Sequence, residues 1–146
     1  MMIKTFALRS AVSAMLVLGL AAPVLADGNR FVMDQWGYQN SIGGAQYGYR
    51  NQMNIQQDGW HNNVIATQDG GRNRMVVGQS GYANQVTAAQ TGHCNILGVA
   101  QMGAYNNVNA TQTGGCNALG IIQVGNGNNV TTRQNGSGNV VVIVQD

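Results

Sequence analysis

Few side chains in this sequence are suited to covalent or acid–base chemistry. Cys94 and Cys116 are the two thiols, His93 stands beside the first of them, and His61 is the other imidazole. Two cysteines and a histidine leave a zinc site short of its fourth ligand. Thiols twenty-two residues apart suit a disulfide only if the fold brings them side by side. Glu is absent, Lys4 is the single lysine, and the acidic residues are all Asp. Neither a recurring carboxylate pair nor a nucleophile with an adjacent base can be assembled from that set. We therefore expect no enzymatic activity, no metal, no cofactor and no small-molecule substrate.

The elements that place these residues begin after an N-terminal segment of different character. Lys4 and Arg9 precede an apolar run from Ala11 to Ala22, followed by Pro23-Val24-Leu25-Ala26 and Asp27. Basic start, apolar stretch and small-residue cleavage site predict a secretory signal over residues 1–26, cut after Ala26. A single anchoring helix is the rival reading, but the run is short for a span and no stop-transfer charge cluster follows it. The full chain of 146 residues is 8% charged with a formal net charge of +2. From Asp27 onward five Arg balance five Asp, so the apparent basicity belongs to the signal. A neutral chain gives no reason to expect nucleic acid as a partner, and it lacks the self-repulsion that keeps molecules apart. A mean hydropathy of −0.12 excludes a polytopic membrane protein, and two cysteines are too few for a disulfide scaffold.

Internal periodicity organises the rest. Gln recurs every eleven residues at Gln35, Gln46, Gln57, Gln68, Gln79, Gln90, Gln101, Gln112, Gln123, Gln134 and Gln145. Asn keeps the same step at Asn29, Asn40, Asn51, Asn62, Asn73, Asn84, Asn95, Asn106, Asn117, Asn128 and Asn139. Gly follows two after every Gln but the last, at Gly37, Gly48, Gly59, Gly70, Gly81, Gly92, Gly103, Gly114, Gly125 and Gly136. The unit Asn-x5-Gln-x-Gly-x-x alternates apolar residues between its Asn and Gln, as in Asn95, Leu97, Val99 and Gln101, which predicts a strand with one buried face. The outward face of that strand is expected to vary freely. The four residues from Gln to the next Asn, Gly second, predict a tight turn with one positive-φ position. An eleven-residue helical repeat would not tolerate a Gly in each unit and so many β-branched sites.

Residue size doubles the period to twenty-two. Units beginning at Asn40, Asn62, Asn84, Asn106 and Asn128 carry small inward pairs such as Val64/Ala66; the others carry larger ones such as Met53/Ile55. Large facing small predicts an all-β, two-sheet parallel β-solenoid of about five and a half strand-turn-strand rungs, stacked about 4.8 Å apart. The repeat domain spans 27–146, with units 29–39, 40–61, 62–83, 84–105, 106–127 and 128–146. Its Asn and Gln columns predict ladders in which each amide gives and takes a hydrogen bond with its copies above and below. Cys94 and Cys116 then share a turn column on adjacent rungs; a staple and two unlinked thiols both remain open, with side-chain geometry favouring the unlinked pair.

Soluble solenoids cover their open strand edges with atypical repeats. Here the repeat starts just after the expected cleavage point and closes on Val140-Val141-Val142-Ile143-Val144, an uncharged segment of high β propensity. The expected partner is therefore a further copy, stacked head to tail into a filament and cross-β on polymerisation; a monomeric solenoid is the alternative. Asp34, Asp58 and Asp69 are candidate gatekeepers that slow assembly of the first half. Arg50 and Arg72 share the cysteine column, and Trp36, Tyr38, Tyr47, Tyr49, Trp60, Tyr82 and Tyr105 fall in turns, where dye or polysaccharide binding competes with simple tolerance. An ice-binding solenoid would need a regular outward Thr array, whereas one outward column reads Gly43, Ile65, Thr87, Asn109, Thr131. Calcium-binding nonapeptide solenoids need a repeated Asp that this chain lacks.

The spacing Asn-x5-Gln-x-Gly-x-x-Asn-x5-Gln behind a secretory signal resembles the curlin repeat of bacterial curli, the functional-amyloid fibres of biofilm matrix. The resemblance covers essentially everything after residue 28. It implies a secreted, extracellular fibre subunit serving biofilm matrix, adhesion and aggregation, exported through a dedicated outer-membrane channel and polymerised on a nucleator. A minor, nucleating curlin is the runner-up. Departures include Asn at Asn51 and Asn95 where curlins often have Ser, and Val64, Val86 and Val108 where Ala is common.

Overall fold

The structure, a computed structural model, describes residues 28–146; the expected signal over 1–26 lies outside the described residues. Eleven strands follow one another: β1 (Arg30–Tyr38), β2 (Ser41–Tyr49), β3 (Gln52–Trp60), β4 (Asn63–Gly71), β5 (Arg74–Tyr82), β6 (Gln85–His93), β7 (Ile96–Ala104), β8 (Asn107–Gly115), β9 (Ala118–Asn126), β10 (Asn129–Ser137) and β11 (Val140–Gln145). Odd strands form one six-stranded sheet and even strands a five-stranded sheet. Each pairing is parallel and joins a residue to the one twenty-two further on, as in Met53↔Met75 and Val64↔Val86. The fold is the expected two-sheet β-solenoid with a 22-residue repeat.

Between the sheets, alternate residues form the core. Met53, Ile55, Met75, Val77, Leu97, Val99, Leu119 and Ile121 from the odd sheet meet Val64, Ala66, Val86, Ala88, Val108, Ala110 and Val130 from the even one. Larger side chains on one wall and Val/Ala on the other together fill the layer between the sheets. The first rung follows the same rule through Gly44, where an added Cβ would come within 2.6 Å of the Phe31 ring. Phe31 and Met33 nevertheless stay 39% and 58% exposed, because no strand stacks on the outer side of β1 among the described residues.

Two expectations about the turn need correction. The strands do not stop at Gln: the ladder runs on through the Gly and one residue beyond, as in Gly59↔Gly81 and Trp60↔Tyr82. The turn shrinks to two residues, and even these stay bonded to the neighbouring rung, with His61 N–H donating to the Tyr38 carbonyl at 3.0 Å and Gln52 N–H to the Asn73 carbonyl at 2.8 Å. There are also two positive-φ positions per unit, not one. Gly59 has φ 113° and His61, two residues later, φ 59°. The first reverses the side on which the next peptide lies and the second closes the corner, so the chain turns without breaking its ladder.

Candidate functional site

The Gln columns are the most regular chemical feature. Gln57 Nε2 donates to Gln79 Oε1 at 2.7 Å, Gln79 to Gln101 at 2.8 Å and Gln101 to Gln123 at 2.8 Å. In the even sheet Gln68, Gln90, Gln112 and Gln134 form the same chain at 2.8 Å per step. The second amide hydrogen crosses the core: Gln57 Nε2 also donates to the Ser41 carbonyl at 3.1 Å, tying the end of one strand to the start of the opposite one. Gln35, Gln46 and Gln145 extend the columns at the outer rungs. Each buried amide is thus satisfied by its own copies plus one backbone carbonyl, and low surrounding polarity makes such chains mutually reinforcing.

The Asn columns work differently from the expectation of simple amide ladders. Asn51 Oδ1 accepts from the backbone N–H of Asn73 at 3.0 Å, and Asn51 Nδ2 donates to the Tyr47 and Gly70 carbonyls at 2.8 and 3.0 Å. Side chain to side chain contact is secondary, as in Asn84 Nδ2 to Asn62 Oδ1 at 3.1 Å. Asn is therefore a corner clamp: one short amide satisfies the peptide groups that the turn would otherwise orphan. Among the described residues no buried side-chain nitrogen or oxygen is left without a partner.

Glycine after Gln meets a second demand besides its φ. A Cβ on Gly59, Gly70, Gly81, Gly92 or Gly103 would sit inside the carbonyl of the equivalent glycine one rung on. At the rung spacing of the ladder, the close approach of identical glycines therefore leaves no room for a side chain at the corner. Sequence reasoning missed the companion slot just before each Asn. It holds Gln39, Arg50, His61, Arg72, Ala83, Cys94, Tyr105 and Cys116 at φ between 53° and 63°, and Gly28, Gly127 and Gly138 occupy the same slot. Those three glycines, out of phase with the regular column, were its signal.

Cys94 and Cys116 are joined in a disulfide with their Cα atoms 4.4 Å apart. This corrects the leaning toward unlinked thiols: the corner brings the two Cα atoms to the short end of the range a disulfide accepts. Both cysteines occupy the left-handed slot of neighbouring rungs, so the bridge staples the stack across one rung step. His93 lies elsewhere in packing terms, its ring against Gly115, where an added Cβ would approach Cε1 to 2.9 Å. Among the described residues no three His, Cys, Asp or Glu side chains gather as metal ligands.

The other aromatic and charged residues separate. Tyr38, His61, Tyr82 and Tyr105 form an edge-to-face ribbon with centroid steps of 6.5, 5.3 and 5.4 Å. Asp34, Asp58 and Asp69 do not stack within the molecule; Asp58 lies between Trp36 and Ser80, and Asp69 between Tyr47 and Thr91. Arg50 and Arg72 stay in the cysteine column, and with Arg74 they border one groove beside Cys94.

These features define a laddered parallel β-solenoid whose Gln columns join each residue to its own copy one rung away. No protein-family model matches the chain, and no curated protein matches it in sequence.

Proposed function

We propose that this chain is a self-stacking structural protein, a curlin-like subunit of an extracellular fibre, and not an enzyme. The observation that carries the reading is the unbroken register of the Gln columns. Each Gln offers the next rung the same donor, acceptor and spacing, so the edge of the stack is complementary to another copy of itself. The charge balance supports close stacking of like on like. Secretion through an outer-membrane channel, a role in biofilm matrix and adhesion, and dependence on a nucleator follow from the curlin resemblance and belong to the same proposal. A minor, nucleating role in such a fibre rests on the same ladders; it would appear as seeding of another subunit at substoichiometric amounts.

The test is to dilute the chain from Asp27 onward out of denaturant and follow thioflavin fluorescence, imaging and fibre diffraction. Fibres with a meridional reflection at about 4.7–4.8 Å are expected. A persistently soluble monomer without that reflection would overturn the reading.

A further inference from the structure

The outward faces of the two sheets differ in kind, contrary to the expectation that outward positions vary freely. Across the even sheet they carry Asn63, Gln85, Asn107, Thr87, Thr111 and Thr113, with Ile65 and Tyr47 as exposed large apolar residues. Across the odd sheet they carry Val76, Ile96, Met102, Ile122, Val124, Val140, Val142 and Val144, all at least 39% exposed. Between these lie Gly78, Gly98 and Gly120, above which nothing stands within 4 Å. The odd sheet therefore presents a face about 23 Å along the strands and 29 Å along the stack, apolar over β7, β9 and β11 and polar over β3, where Gln52, Asn54, Gln56 and Asp58 point outward, with grooves at its glycines. That is roughly 650 Å² of plane, close to the about 800 Å² per partner of a standard interface.

We propose that this face binds the same face of a second copy, the two solenoids lying side by side with a twofold axis parallel to the stack. The operation reverses strand direction and sets the first outward column opposite the last, and the second opposite the third. Size complements size in two rungs, where Val76 falls over Gly78 of the second copy and Gly120 over Ile122, while Gly98 over Ala100 and Val142 over Val144 pair like with like. At the margins Ile96 meets Met102 and Ala118 meets Val124. Charge complements charge as well. One marginal column reads Arg30, Gln52, Arg74 along the stack and the other reads Trp36, Asp58, Ser80. The twofold places Asp58 of each copy opposite Gln52, flanked by Arg30 and Arg74, and puts Trp36 over Arg30, a favourable cation–π pairing. The least favourable contact is Asp34 against Val32, confined to the outermost rung. Each strand of the even face carries outward polar side chains, whereas β7, β9 and β11 of the odd face carry none, so the even face has less reason to leave water. The pairing does not depend on end-to-end stacking, since it uses the side of the solenoid.

Cross-linking tests it. Gln52 and Asp58 lie six residues apart on one strand, about 20 Å, so the double variant Q52C/D58C can be bridged by a thiol reagent of about 10 Å span only between copies. With the native disulfide left closed, we expect covalent dimers in Q52C/D58C and none in N63C/D69C, its equivalent on the even face. Equal cross-linking of both, or of neither, overturns the proposal. Cryo-electron microscopy of the unaltered protein provides a measurement independent of the variants. Paired solenoids meeting through the odd sheet support it, and I122K should separate them into single solenoids without loss of thioflavin binding. Single solenoids, or pairs joined through the even sheet, overturn it while leaving end-to-end stacking standing. Cross-linked dimers that never form fibres would do the reverse.

Discussion

A single residue type does two jobs in the Gln columns, and mutation separates them. Gln90 is buried, accepts from Gln68, donates to Gln112 and reaches the Arg74 carbonyl at 3.2 Å. Gln90→Leu keeps the volume but takes a partner from the Gln68 amide donor, the Gln112 acceptor and the Arg74 carbonyl. Denaturant unfolding should therefore show a loss of about 1–3 kcal/mol for each buried group left unpaired. The glycines offer a sharper contrast. Gly92→Ala adds a Cβ into the Gly114 carbonyl at a backbone φ of 112°, and should abolish the folded stack as judged by circular dichroism. Gly43→Ala, facing solvent with its nearest neighbour 3.9 Å away, should change stability by no more than about 1 kcal/mol.

At the scale of the strand and its corner, the left-handed slot governs tolerance. Ala83 sits there at φ 53°, where a side chain costs roughly 1–2 kcal/mol. Ala83→Gly should raise the unfolding midpoint and Ala83→Val should lower it, with intact ladders in both. The Cys94–Cys116 bridge closes a loop of 22 residues, and its reduction should cost about 3 kcal/mol in the loop-entropy description. Mass spectrometry checks the bond directly: no gain of the two thiol hydrogens on reduction would mean no bridge. This scale also separates what the sequence disclosed from what it hid. Strand, core face, Gln column and doubled period were all legible, because an apolar alternation and an amide at fixed spacing have one structural solution. The left-handed slot showed itself only through Gly28, Gly127 and Gly138, because residues as unlike as Arg72, Ala83 and Tyr105 fill the rest of it and nothing in their chemistry announces a positive φ. The role of Asn was half legible: the column was plain, but whether its amide meets another amide or a peptide group depends on side-chain length. Asn, one methylene shorter than Gln, reaches the corner backbone first. The unlike outer faces became visible only when alternate units were read as separate sheets.

Across the whole molecule, every rung depends on its two neighbours and on nothing more distant, since all strand pairings have the same offset. Stability should then accumulate rung by rung as in other linear arrays, with the middle of the stack best protected from hydrogen exchange. Charge is unevenly spread along this array: Asp58, Asp69, Arg72 and Arg74 lie in neighbouring rungs. In a stack of identical segments each of these would lie near its own copy. A peptide from Asn117 to Asp146 should accordingly form fibres faster than one from Asn51 to Gln79, and the opposite order would remove the gatekeeper role assigned to the Asp residues.

The direction of the amides has its own effect at this scale. Gln carbonyls face the preceding rung, since Gln57 donates forward to Gln79, whereas Asn carbonyls face the following one, since Asn51 accepts from Asn73. In an α-helix parallel amides add up to a dipole with charged ends. Here the two kinds of column oppose each other along the same axis, so one end of the stack presents Gln carbonyls and the other Asn carbonyls. A copy arriving at either end would therefore meet a row of amide acceptors, those of Gln at the first rung and those of Asn at the last.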